Sequence, residues 1–203
     1  MNEDFSYLFG EAQQMKEDGR HMEAVKTCEK ILMEDLSCVE AYEEIGDNYL
    51  SLREYDKAKK ALVKAIKLDT RSANANYLLG FLYSAISDFA KSIKYLEFAD
   101  RCEPNHPEIL RCLGWSLYHN KQKNRGVILL ERAVTLSPDD SLILSDLGVC
   151  YLNNKNFDKA SALFQKVLTI EPENTKAQEC LNAVRFFRHE YKKLKKSAEQ
   201  AEI

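Results

Sequence analysis

No apolar run in this 203-residue chain is long enough to cross a membrane. The longest nearly apolar stretch, Tyr77 to Ile86, is about half of the roughly 18 residues a spanning helix needs. The opening MNEDFSYLFG carries acids where an export signal would carry bases, so a protein retained in the cytoplasm is expected. The six cysteines (Cys28, Cys38, Cys102, Cys112, Cys150 and Cys180) are scattered, with no CxxC and no close Cys/His grouping of the zinc-site kind. Reduced, mostly buried thiols are the expectation. Missing too are a phosphate-binding glycine loop, HExxH and GxSxG. Cys112 and His119 share roughly one side of a helix but are seven residues apart. That is about 10 Å along the axis, too far for a base to activate a thiol. No catalysis, no metal and no cofactor are therefore expected.

Charge is unevenly spread along the chain. Six bases and one acid lie between Arg185 and Lys196, a local balance of +5, so against a net −3 the rest of the chain carries −8. An acidic body argues against nucleic acid as the main ligand.

What the sequence has is a period. Gly46, Gly80, Gly114 and Gly148 are each 34 residues apart, and Pro104, Pro138 and Pro172 each stand 24 residues after one of them. A period of this length is that of a helix-turn-helix unit, which must stack on its neighbours to bury its apolar face.

The residues filling the period resemble the tetratricopeptide repeat. Residues 141–174 match at Leu144, Leu147, Gly148, Tyr151, Phe157, Ala160, Phe164, Val167 and Pro172. Residues 39–72 match at Tyr42, Ile45, Gly46, Tyr49, Tyr55, Ala58, Leu62 and Ala65, with Thr70 in place of proline. Residues 73–106 depart at Asn76 and Ser92, and residues 107–140 at Leu117, Lys123 and Gly126. A degenerate first repeat spans 5–38, keeping Leu8, Ala12, Ala24, Cys28 and Ile31. Residues 1–4 precede the five repeats, and 175–203 read as a C-terminal capping helix with a basic overhang. The resemblance implies an all-α fold, a right-handed superhelical solenoid of stacked helix-turn-helix repeats.

Glu11 and Asn76 apart, the first helices carry apolar or small residues at repeat positions 4, 7, 8 and 11, the stripe of an amphipathic helix. Glycine at position 8 costs about 1 kcal/mol of helix propensity against alanine. Close approach of the paired helix is the expected compensation, with Ala58, Gly126 and Ala160 as the small residues opposite.

Positions 2, 5, 9, 12 and 13 fall on the other face, which in tetratricopeptide proteins lines a concave groove for a partner's peptide. The resemblance thus nominates Glu40, Glu43 and Asp47, then Tyr77 and Phe81, then Arg111, Trp115, Tyr118 and His119, then Val149 and Leu152. Such a groove runs from acidic to aromatic to aliphatic and suits a peptide or helix of another protein with apolar anchors and some basic residues. Packing between neighbouring first helices is the competing account of the same rings. The expected role is a non-enzymatic protein-protein interaction module, an adaptor or assembly scaffold. The alternatives are a holding chaperone for an apolar client, similar to tetratricopeptide secretion chaperones, and a regulatory subunit of an enzyme complex. The far end of the last helix, with Tyr191, Leu194 and the lysines, is open to self-association, to an anionic membrane or to the acidic second repeat.

Overall fold

The structure, a computed structural model, describes residues 5–201. Among them are eleven helices and no strand: α1 (Ser6–Glu17), α2 (His21–Glu34), α3 (Val39–Ser51), α4 (Tyr55–Leu68), α5 (Ala73–Ala85), α6 (Phe89–Cys102), α7 (Pro107–His119), α8 (Lys123–Leu136), α9 (Ser141–Asn153), α10 (Phe157–Ile170) and α11 (Thr175–Ala201). They gather into two compact units, an N-terminal one ending at Pro104 and a C-terminal one starting at Asn105. Among the described residues no helix is long and apolar enough to cross a membrane.

Local chemistry sets the helix ends. Ser72, Asp88, Asp140 and Asn156 accept hydrogen bonds from the first-turn amides of α5, α6, α9 and α10, and Pro107 opens α7 where its missing N–H does no harm. Within each pair the turn holds one residue in the left-handed region: Gly19, Arg53, Ser87, Lys121 and Lys155, at φ between 59° and 75°. The following amide returns to the carbonyl five residues earlier, as in Glu54 N to Tyr49 O (2.9 Å) and Asn156 N to Tyr151 O (2.8 Å). This closure satisfies carbonyls that the helix end leaves open.

The periodic glycines sit where a first helix crosses its own second helix. A Cβ on Gly148 would lie 2.8 Å from the Phe164 ring, and one on Gly80 2.5 Å from Leu96 Cγ. The close neighbour is therefore a large side chain sixteen residues on, not the small residue twelve residues on that the sequence suggested at Ala58 and Ala160. The α7–α8 crossing is the exception, because a Cβ on Gly126 would stand 2.5 Å from Gly114 O and 2.7 Å from Tyr118 N. Ser92, out of pattern for the repeat, is buried and donates to Gly80 O at 2.8 Å; Asn76 likewise donates to Ser72 O at 2.7 Å. Both departures are polar side chains with partners inside the core, so neither leaves a donor stranded.

Each unit has its own core. Ala12, Val25, Cys28, Ile31, Ala41 and Ile45 form one cluster of the N-terminal unit, and Leu62, Leu78, Leu79 and Leu82 belong to another. In the C-terminal unit Leu130, Leu147, Cys150, Tyr151, Phe164, Leu181 and Val184 pack together. First helices bury a second stripe besides the predicted one, such as Ala75, Leu78 and Leu82 on α5, because α5 contacts α3 and α4 as well as α6. The last helix, α11, buries Ala177, Leu181 and Val184, while Gln178, Asn182 and Arg185 stay exposed.

Candidate functional site

In the N-terminal unit, α3 and α5 are neighbours. Glu43 is not a surface acid, contrary to the groove expectation: it is 8% exposed and accepts from Ser72 Oγ (2.5 Å) and Asn74 Nδ2 (2.9 Å). A carboxylate withdrawn from water needs such donors, and here they also tie α3 to the start of α5. Asp47 is partly buried and takes Lys16 Nζ at 2.5 Å, with Glu44 3.2 Å from the same nitrogen. Burial opposes the Lys16 charge, but Asp47 and Glu44 together raise its pKa. Glu40 remains largely exposed, its pKa raised by partial desolvation of the carboxyl and by Glu44 and Glu43. Tyr77 is partly buried; Phe81 is 36% exposed, its ring 6.5 Å from that of Tyr77.

In the C-terminal unit, α7 and α9 are neighbours. Arg111 is held by Glu108 through Nε (2.8 Å) and Nη2, and reaches Asp146 on α9 through Nη1 (2.7 Å). Burial works against the guanidinium, but Glu108 and Asp146 outweigh it and raise its pKa. Burial raises the pKa of Asp146, against the opposing pull of Arg111. Arg111 is thus the charged tie between α7 and α9. Sequence reasoning missed its partner Asp146, which stands one period plus one residue further along.

Tyr118 is a second correction: it is 4% exposed, and its hydroxyl donates to Asn154 Oδ1 (2.9 Å), with Cys150 O at 3.2 Å. Trp115 packs partly buried against the same core, and the exposed ring of His119 lies 4.3 Å from its indole. Burial lowers the His119 pKa, with Asp146 pulling the other way. Val149 and Leu152 are partly buried on α9, and Leu142 at its start is 63% exposed.

Cys112 Sγ lies against Glu108 and Arg111, while His119 is beside Trp115. Burial pushes the Cys28 and Cys150 thiols up to about 12, which keeps both in the unreactive protonated form.

A groove of about 350 Å³ opens beside α11, lined by Leu152, Asn153, Lys155 and Phe157 on one side and Phe187, Glu190, Tyr191 and Leu194 on the other. The apolar spacing of the last helix was visible in the sequence. Its wall from Leu152 and Phe157 was not.

Residues 39–71 and 128–184 each match a tetratricopeptide-repeat family profile. Anaphase-promoting complex subunit 3 of Schizosaccharomyces pombe is 28% identical over 94 residues, 46% of this chain and 14% of that relative. The aligned part of the chain therefore spans about a seventh of that protein. The crystal structure of the APC/C hetero-tetramer Cut9–Hcn1 superposes with a TM-score of 0.82 at 18% identity, covering 87% of this chain and 35% of that one. TTC0263, a thermophilic TPR protein of Thermus thermophilus, gives 0.78 at 18% identity over 90% of this chain and 100% of its own. At such identities the likeness carries the fold alone. The 34-residue period, the helix pairs and these matches agree: the chain is a tetratricopeptide-repeat protein, a member of a family of protein-interaction modules.

Proposed function

We propose that the chain is a non-enzymatic adaptor or assembly scaffold that holds a peptide or helix of another protein against the outward faces of its first helices. The observation that carries this reading is apolar surface that no internal packing requires: Phe81 in the N-terminal unit and Leu142 in the C-terminal unit, 36% and 63% exposed. A few buried anchors carry most of the binding energy at protein interfaces, aromatic side chains prominent among them. Trp115, His119, Val149 and Leu152 extend the face in the C-terminal unit; Glu40, Asp47 and Tyr77 extend it in the N-terminal unit. Glu43, Arg111 and Tyr118 serve it indirectly, by fixing adjacent first helices. The partner has apolar anchors, with basic residues where it meets Glu40. Supporting the non-catalytic part are a fold that is typically a scaffold and thiols held protonated by burial.

Site-specific photo-crosslinking tests the reading. A photoreactive phenylalanine at Phe81, Leu142 or Leu152 should capture the partner, whereas the same group at Lys94 or Gln165 on second helices should not. Capture through the second helices instead would overturn it. A folded assembly among the captured proteins marks an adaptor; a single client that precipitates without the chain marks a holding chaperone.

A further inference from the structure

We propose that the groove beside the end of α11 docks an acidic amphipathic helix from another protein. This site goes beyond the faces described above and shares only Leu152 with them.

The helix α11 begins one period after α9 but runs for 27 residues where α9 has 13. Its later turns carry Phe187, Tyr191 and Leu194 at i, i+4 and i+7, on one face, and they are 52%, 43% and 68% exposed. The Tyr191 ring is held in place, 5.9 Å from the buried Phe157 ring and 5.1 Å from Lys155 Nζ. Lys155 occupies the left-handed turn between α9 and α10. The result is an apolar channel with walls from two directions, large enough for a stripe of side chains. Isolated exposed apolar residues need no explanation, but a contiguous lined groove marks a binding surface.

Charge chooses the occupant. Lys155, Arg188, Lys192 and Lys195 edge the adjoining surface, with Arg188 held by Asp158 at 2.6 Å. Glu190 is the acid in the lining, 3.3 Å from His189. Four bases against Asp158 and Glu190 leave the groove and its adjoining surface at +2. A second copy docking through the same face would set that charge against itself, which disfavours a symmetric dimer. A bilayer could meet Leu194 but could not reach Phe157, which is 9% exposed. An extended peptide would lay unpaired backbone groups over an apolar wall, whereas a helix satisfies its own. An amphipathic helix with an apolar stripe and glutamates or aspartates beside it meets every condition.

The test uses the full chain and fluorescently labelled model helices of about 18 residues. One peptide has leucines at i, i+3, i+4 and i+7 flanked by glutamates; its counterpart carries lysines instead. Anisotropy should show saturable binding of the acidic peptide alone. Leu194→Glu, Phe187→Glu and the double change K192E/K195E should each weaken it by about tenfold. Raising salt from about 0.1 M to about 0.5 M should weaken it as well. Circular dichroism checks that these exposed substitutions leave the fold intact, and Phe81→Ala should not alter peptide binding. The proposal fails if neither peptide binds, if both bind alike, or if L194E is without effect. It also fails if the acidic peptide does not bind while phosphatidylserine vesicles do, or if sedimentation shows a dimer that L194E abolishes. Loss of crosslinking at Phe81 would count against the first-helix faces and leave this site standing.

Discussion

The two units use the same repeat positions in opposite ways. At position 5 of α3 the N-terminal unit places an acid, Glu43, and answers it with the neutral donors Ser72 and Asn74 of the next helix pair. At position 5 of α7 the C-terminal unit places a base, Arg111, and answers it with Glu108 and Asp146. Both are ties between neighbouring first helices, and both remove a charge from the face where a partner would be met. Whether a residue on that face is available thus depends on what the next first helix sets opposite it. The C-terminal unit alone then adds α11, whose end leaves an apolar wall open.

The helix crossings differ as well, and the largest expected effect comes from there. At α7–α8 backbone meets backbone, since a Cβ on Gly126 would stand 2.5 Å from Gly114 O; at α3–α4 a Cβ on Gly46 would meet the Leu62 side chain, also at 2.5 Å. The buried Leu62 side chain can give by repacking within the core, whereas the Gly114 carbonyl can move only with its helix. Gly126→Ala should therefore cost about 3 kcal/mol, the upper end of overpacking, and Gly46→Ala about 1 kcal/mol. Urea denaturation followed by circular dichroism measures both. Equal costs would mean that the two crossings are equivalent after all.

The next effect separates the two ties. Glu43→Ala strands Ser72 and Asn74, which can turn to water, and should cost about 1–2 kcal/mol. Arg111→Ala leaves Glu108 and the more enclosed Asp146 without their cation and should cost about 2–3 kcal/mol. The same denaturation experiment ranks them, and a larger loss at Glu43 would reverse the comparison.

These ties explain how much could be read in advance. Spacing of Gly46, Gly80, Gly114 and Gly148 is enough to set the helix pairs, because the 34-residue period and the amphipathic stripe are both written along the chain itself. The same spacing, drawn on a wheel, sets Phe81, Trp115 and Leu152 on a face apart from the repeat's packing stripe. A helical wheel gives direction but not cover, so it could not show Tyr118 buried under α9 with its hydroxyl on Asn154. Nor could it show Leu62 and Phe164, rather than Ala58 and Ala160, as what a Cβ on Gly46 or Gly148 would meet. Those facts depend on the neighbouring helix, and the signal for one of them, Arg111 with Asp146, is an offset of one period plus one.

A smaller effect lies in the turns, where the units should respond alike. Gly19 and Lys121 both sit in the left-handed region, at φ 75° and 66°. For a residue with a Cβ that conformation costs about 1 kcal/mol. Lys121→Gly should thus stabilise the C-terminal unit by up to about 1 kcal/mol, and Gly19→Ala should destabilise the N-terminal unit by a similar amount. A Cβ on Gly19 would touch nothing within 4 Å, so its cost would be backbone strain alone. Thermal melting distinguishes the signs; the same sign for both would show that the turns are not equivalent.

The smallest effect is a titration confined to the C-terminal unit. Burial holds the His119 pKa below its ordinary 6.5, although Asp146 pulls it upward, and the imidazole lies 4.3 Å from the ring of Trp115, the chain's one tryptophan. The folded state therefore binds protons less readily at this site than the unfolded chain does. His119 contributes its full stability above pH 6.5 and loses it as pH falls through the lowered value. Because imidazolium quenches a neighbouring indole, Trp115 emission should fall over the same window, with its midpoint below 6.5. His119→Gln should flatten that change while leaving the tie between Arg111 and Asp146 in place. A midpoint at or above the ordinary histidine value would mean that Asp146 governs this ring more than burial does. The half-covered face around Trp115 would then be more open to water than its packing against α9 implies.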